Sequence, residues 1–240
     1  MIPFVKIDTE IPSPLPECAM PTAEEISEEG FGFFRGTWFI GHVSTGDAQF
    51  TLREEAELIR VLDAATSSPE EFEELASAIE ANDLDELSEP LRRLATEHGV
   101  EELLDEELVP LDGLEIGVAG VTHALSSIGC LTAASCRSHI SAQSWSDCPV
   151  VFFAARPWRL ELLADLIEPA GCGLRADRGM LSIVAPSILY MHELGRSIVN
   201  ERRRFRRKPD HWRTSSVARR QIHTQLELPL DIQEPESERR

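Results

Sequence analysis

The stretches 130–136, CLTAASC, and 149–155, PVVFFAA, decide how this chain folds. Both are short and apolar, and they enclose the polar loop RSHISAQSWSDC at 137–148. CLTAASC reads as a strand running into that loop. PVVFFAA has no polar side chain on either alternate set of positions, so it reads as a strand buried on both faces. Upstream, GLEIGVAGVTHALSSIG (113–129) predicts a helix that stops at Gly129. Downstream, Pro157 opens the amphipathic helix PWRLELLADLIEPAG, and CGLRADRGMLSIVAP (172–186) predicts strand, turn and strand. Ser187 is placed to cap the helix SILYMHELGRSIVNERRRFRR, whose apolar stripe is Ile188, Met191, Leu194 and Ile198. Its basic end suits the negative pole of a helix. Helices interleaved with three or four short strands predict an α+β fold, with a small mixed sheet covered by helices over 115–207.

Four regions follow from working outward. Residues 1–30 hold five prolines and form an extended lead-in that lies at most partly on the body. Residues 31–112 form an acidic, mainly helical subdomain, in which FGFFRGTWFIGHV (31–43) supplies one or two short strands. Leu52, Ala56, Ile59 and Leu62 keep helical spacing, as do Phe72, Leu75, Ala76 and Ile79. Thr51 with Glu54, and Ser68 with Pro69 and Glu71, fit the start of a helix. Short helices are also expected over 83–97 and 100–108. Residues 113–207 are the α+β domain with the Ser-Cys-His loop. From Pro209 the periodicity dissolves, so 208–240 reads as a mobile tail.

Bulk properties restrict the classes of protein this can be. The chain has 240 residues, enough for one or two domains, with 42% hydrophobic and 27% charged residues. No apolar run is long enough for a membrane helix, and the first residues lack the pattern of a secretory signal. Five cysteines, an odd number without a dense framework, then read as reduced thiols in a cytoplasmic protein. The net charge of -19 is segregated. Residues 51–115 hold 21 acids against four bases, 116–200 hold six of each, and 201–220 hold nine bases against two acids. The acidic half is a set of solvated helix faces or a docking face for a protein partner, DNA mimicry included. The acidic block repels nucleic acid, and the basic run at the other end attracts it or an acidic surface. No P-loop, dinucleotide-binding glycine pattern, H-E-x-x-H or nuclease carboxylate cluster is present.

The loop at 130–148 concentrates Cys130, Ser135, Cys136, Arg137, Ser138, His139, Trp145, Asp147 and Cys148. Several chemistries fit. Cys136 could be a nucleophile activated by His139, with Ser135 beside it. Backbone amides, hydroxyls and Arg137 could bind an anionic ligand. Zinc could sit on Cys136-x2-His139 with Cys130 or Cys148, although a second close ligand pair is missing and no metal site is assigned. The plain alternative is that the cysteines are small buried strand residues and the Ser and His side chains satisfy a turn.

The run A-S-C-R-S-H-I at 134–140 resembles the Ser-Ser-Cys-x-Gly-Arg-Ile signature of the wybutosine-synthesising tRNA methyltransferase family. The order of features downstream is similar over about 115–185: Trp145, PVVFFAA, a helix opened by Pro157, then Gly173-Leu174-Arg175 before Gly179-Met180. The family's Gly-Arg falls here on Ser138-His139. The resemblance implies S-adenosylmethionine-dependent methylation of a modified guanosine in tRNA, with Ser135, Cys136 and Arg175 at cleft-lining positions.

Residues 225–230, Gln-Leu-Glu-Leu-Pro-Leu, resemble the hexapeptide by which many bacterial replication and repair proteins bind the sliding clamp. Gln225 would hydrogen-bond at one subsite, Leu226, Leu228 and Leu230 would enter apolar pockets, and Pro229 keeps the backbone extended. The alternatives are that these leucines fold back on the body or meet another partner. Arg202, Arg203, Arg204, Arg206, Arg207 and Lys208, with Trp212, form a basic and aromatic stretch suited to nucleic-acid phosphates. The leading expectation is an accessory protein of bacterial DNA transactions: repair, replication control or phage defence. The alternatives are a methyltransferase-like enzyme working through 135–139 and a scaffold subunit. The residues themselves specify no cofactor.

Overall fold

Four antiparallel strands carry the architecture: β3 (Leu131–Cys136), β4 (Val150–Ala154), β5 (Gly173–Asp177) and β6 (Met180–Val184). Two short strands, β1 (Ile26–Ser27) and β2 (Trp38–Phe39), extend the sheet beyond β3, giving the order β1-β2-β3-β4-β6-β5. β1 and β2 are parallel and every other pairing is antiparallel, so the sheet is mixed, as the sequence predicts. The computed structural model describes residues 1–22, 26–27, 38–39, 43–100, 110–140, 144–177 and 179–206. The side chains of 26–27, 38–39, 110, 112 and 177 are excepted.

Alternation along the strands sets two faces. Val151, Phe153, Leu174, Leu181 and Ile183 enter one core with Leu125, Leu160, Leu163, Leu194 and Ile198 of the helices. Cys136, Val150 and Val184 point the other way, where Val5 and Ile7 pack on them. Cys18 and Met20 likewise cover Leu131 and Ala154. The second face is therefore covered by the lead-in rather than by a helix. Val5 N–H donates to Pro186 O at 2.8 Å, Leu174 N–H to Glu10 O at 3.3 Å and Ala19 N–H to Gly179 O at 3.0 Å. PVVFFAA is buried on both faces for this reason.

Among the described residues the helices are α1 (Thr45–Ala65), α2 (Pro69–Glu80), α3 (Glu89–Glu97), α4 (Ala119–Ser127), α5 (Pro157–Ile167) and α6 (Ile188–Asn200). Tight 3-10 turns occupy Pro110–Gly113 and Arg202–Phe205. Ser68 caps α2 by accepting from Glu71 N–H at 3.2 Å, as its sequence predicts. Several expectations need correction. The helix expected over 83–97 spans only Glu89–Glu97, and the one expected to run into RRRFRR stops at Asn200. α1 begins at Thr45, because Ser44 and Asp47 form a reciprocal capping box ahead of the Thr51/Glu54 pair. The helix expected from 113 starts only at Ala119, because Gly117 takes a left-handed φ of 91° that no right-handed helix contains. Ser187 occupies the cap position of α6, yet its hydroxyl makes no cap bond. The helix expected over 100–108 and most of 31–43 lie outside the described residues.

A second core joins α1, α2 and α3 through Leu58, Leu62, Phe72, Leu75, Ile79 and Leu91, with Ile116 and Ile188 at its margin. α1 serves both cores, giving Ala48 and Leu52 to the sheet side. Its Glu55, wholly buried, accepts from Gly117 N–H at 2.9 Å and Gly120 N–H at 3.1 Å, and meets His192 Nδ1 at 2.8 Å. A carboxylate at the N-terminus of α4 suits the helix dipole and satisfies amides with no helical acceptor. No described helix is long and apolar enough to cross a membrane.

Candidate functional site

Arg137, the first residue after β3, is where the sheet meets the acidic helices. Its side chain is 1% exposed, and α2 presents Glu73, Ser77 and Glu80 to it at i, i+4 and i+7. Nη1 donates to Glu73 Oε2 at 2.7 Å, and Nη2 to Glu73 Oε1 at 3.2 Å and Ser77 Oγ at 3.0 Å. Nε donates to Glu80 Oε1 at 2.8 Å, and the guanidinium stands 5.9 Å from the Phe72 ring centre. The Arg137 main-chain N–H donates to Glu115 Oε2 at 2.6 Å. Glu80 Oε1 also accepts from Ile116 N–H at 2.8 Å, so one carboxylate holds both segments.

His139 lies between two acids, with Nδ1 2.7 Å from Glu73 Oε1 and Nε2 3.1 Å from Glu115 Oε1. Its main-chain N–H donates to Ser144 Oγ at 3.2 Å. Ser138 has a left-handed φ of 72°, which turns the chain so that its N–H donates to Cys136 Sγ at 3.3 Å. The ligand atoms of Glu115, Cys136 and His139 all lie within 4.8 Å of one another.

The electrostatics follow from partial burial and crowded charge. Burial raises the Glu73 pKa, but hydrogen bonds and charge from Arg137 and His139 outweigh it and hold the carboxyl below its ordinary value. At the more enclosed Glu80, burial prevails over the same guanidinium and the pKa is raised. Burial lowers the His139 pKa, yet Glu73 and Glu115 more than offset it and the imidazole ends above its ordinary value. The Arg137 pKa is raised, its acidic partners outweighing burial. Burial, then the Glu115 charge, push the Cys136 thiol up to about 11. Such a thiol carries little thiolate near neutrality, the opposite of an activated nucleophile.

The residues named from sequence fall into separate groups. Cys136, Arg137 and His139 come together. Ser135 pairs with Val151, whose side chain enters the helix-side core, whereas Cys136 pairs with Val150 and faces the lead-in. Ser135 and Cys136 thus point to opposite faces of the sheet. Arg175 is exposed on β5, with β6 and β4 between it and β3, which at strand spacing is about 14 Å. It donates to Asp8 O at 3.4 Å. Cys130 belongs to the helix-side core and Cys148 packs with Cys136 and Val150. Arg203 and Arg206 are exposed beyond α6, while Arg204 pairs with Asp165 at 2.7 Å and Arg202 donates to Val199 O at 3.0 Å. Arg207, Lys208, Trp212, Gln225, Leu226, Leu228 and Leu230 lie outside the described residues.

Sequence reasoning missed Glu73, Ser77, Glu80 and Glu115. The signal was the i, i+4, i+7 spacing beside the apolar stripe of α2, hidden among acids of the same type. No protein-family model, no curated protein and no solved structure matches the chain.

Proposed function

We propose that the protein is an accessory protein of bacterial DNA transactions (repair, replication control or phage defence), a binding module recruited to the sliding clamp by Gln225–Leu230. The observation that carries this reading is the hexapeptide Gln-Leu-Glu-Leu-Pro-Leu in a stretch otherwise polar and charged. Each leucine that enters an apolar pocket contributes roughly 1.5–3 kcal/mol before ordering costs, which matches a dissociation constant on the order of micromolar. A ring-shaped clamp strengthens such a contact by presenting several copies of the pocket.

The chemistry of the body supports binding over thiol catalysis. The Cys136 thiol is pushed up to about 11, and the Arg137 donors are directed to Glu73, Ser77 and Glu80. The basic run from Arg202 to Lys208 lies between the body and the hexapeptide in sequence. A protein held on the clamp would bring that run to DNA phosphates, while its acidic helices stay free for a basic protein partner.

The test is surface binding of the full-length protein to a purified bacterial clamp, beside a Gln225→Ala/Leu228→Ala variant. Micromolar binding that disappears in the variant is the expected result. A wild-type protein that does not bind overturns the reading.

A further inference from the structure

We propose that Cys136, His139 and Glu115 form a binding site for one divalent transition-metal ion, with zinc the best fit. Thiolate sulfur, imidazole nitrogen and carboxylate oxygen together are a zinc-type donor set, since calcium and magnesium favour oxygen alone. Their ligand atoms lie within 4.8 Å of one another. In a tetrahedral site with bonds of about 2.0–2.3 Å, neighbouring ligand atoms stand roughly 3.3–3.8 Å apart. The set is therefore within about 1 Å of that spacing, and His139 and Glu115 are only half-buried, so their side chains are not locked in place.

Each ligand is already positioned by a hydrogen bond. Ser138, at its left-handed φ of 72°, folds the Cys136-x2-His139 segment back on itself, and its N–H points at Cys136 Sγ at 3.3 Å. An amide aimed at sulfur favours the thiolate that a metal requires. Glu115 Oε2 accepts from the Arg137 N–H, which leaves Oε1 directed at His139 Nε2. His139 Nδ1 faces Glu73 Oε1 at 2.7 Å. With Nε2 on the ion, Nδ1–H donates to that carboxylate, the support that metal-bound histidines regularly have. Glu73 and Glu80 on the single guanidinium of Arg137, with Glu115 on its main-chain amide, place three carboxylates beside one arginine and so attract a dication.

Binding replaces metal–water bonds by metal–sulfur, metal–nitrogen and metal–oxygen bonds, and the Cys136 thiol proton and any proton that His139 Nε2 shares with Glu115 leave to solvent. No electron is transferred. Three protein ligands leave a fourth position for water. The site ties the end of β3 to the segment ahead of α4, independently of the clamp reading, which concerns residues 225–230.

The test is titration of the full-length, chelator-stripped, reduced protein with cobalt(II), followed by zinc competition. One equivalent of cobalt is expected to give a thiolate-to-cobalt charge-transfer band and visible bands of tetrahedral intensity, both removed by zinc. Cys136→Ser should abolish the charge-transfer band, and Cys148→Ser should keep it. Glu73→Gln should weaken binding about 10–100-fold and His139→Gln, which removes a ligand, by more, with circular dichroism showing that each variant is folded. Absence of the band in the wild-type protein, or its persistence in Cys136→Ser, overturns the proposal.

Discussion

Arg137 and Glu73, 64 residues apart in the chain, meet through paired hydrogen bonds of 2.7 and 3.2 Å that join the end of β3 to α2. The fork-to-carboxylate geometry is the kind that a guanidinium makes and an ammonium does not. Because Arg137 is almost wholly enclosed, the pair ties the acidic helices to the sheet from inside rather than decorating a surface.

Removing the cation should therefore be costly. Arg137→Ala leaves Glu80 to the Ile116 amide and Glu73 to His139 and the Ser77 hydroxyl, and stability is expected to fall by about 3–5 kcal/mol. Urea unfolding measures this, and a loss under about 1 kcal/mol would show the pair to be solvent-screened. Arg137→Lys should recover only part, having one donor centre for two carboxylates.

Glu55 provides a second test at the α1–α4–α6 junction. Glu55→Ala strands the Gly117 and Gly120 amides and the His192 ring in a buried place, with an expected cost of about 3 kcal/mol or more. Gly120→Ala should cost roughly 1–3 kcal/mol by overpacking. Its methyl would lie 2.5 Å from both Glu55 Oε2 and Leu52 Cδ2. Thermal melts of the two variants check both figures.

Thiol reactivity should follow burial. Burial alone pushes Cys172 up to about 12, so at pH 8 its thiolate fraction is on the order of one in ten thousand. Cys18 is the one cysteine that is not fully buried. Timed alkylation read by peptide mass mapping should label Cys18 first, and Cys172 only on unfolding. Rapid native-state labelling of Cys172 would contradict its burial in the core.

Covering of the outer sheet face by the lead-in also has a measurable consequence. Val5 and Ile7 pack on Cys136, Val150 and Val184. Val5 and Ile7 are partly buried, so Val5→Asp and Ile7→Asp should each lose part of the roughly 1.5–3 kcal/mol that full burial contributes and raise binding of a hydrophobic dye. Unchanged melting would mean that the strap contributes little.

Much of the fold was legible locally. The strand runs at 131–136 and 150–154, the strand pair over 173–184 and the helices opened by Pro69 and Pro157 all follow from spacing and end signals between near neighbours. Where two such signals compete, local spacing does not choose between them: Ser44/Asp47 takes the start of α1 ahead of Thr51/Glu54. The lead-in was partly legible too. In MIPFVKIDTE, Val5, Ile7 and Thr9 turn inward while Phe4, Lys6, Asp8 and Glu10 stay exposed, the alternation of a chain lying along a surface.

The sequence by itself determined the elements, the α+β class and the unequal distribution of charge, because these depend on contacts within a few residues or on composition alone. Only the tertiary structure decided which of the 21 acids of residues 51–115 act as partners. Glu73, Glu80 and Glu115 look like their solvated neighbours until β3 delivers Arg137 and His139 against α2. A carboxylate's role is set by what stands within 3 Å of it and how much water is excluded, and both come from packing between segments distant in sequence.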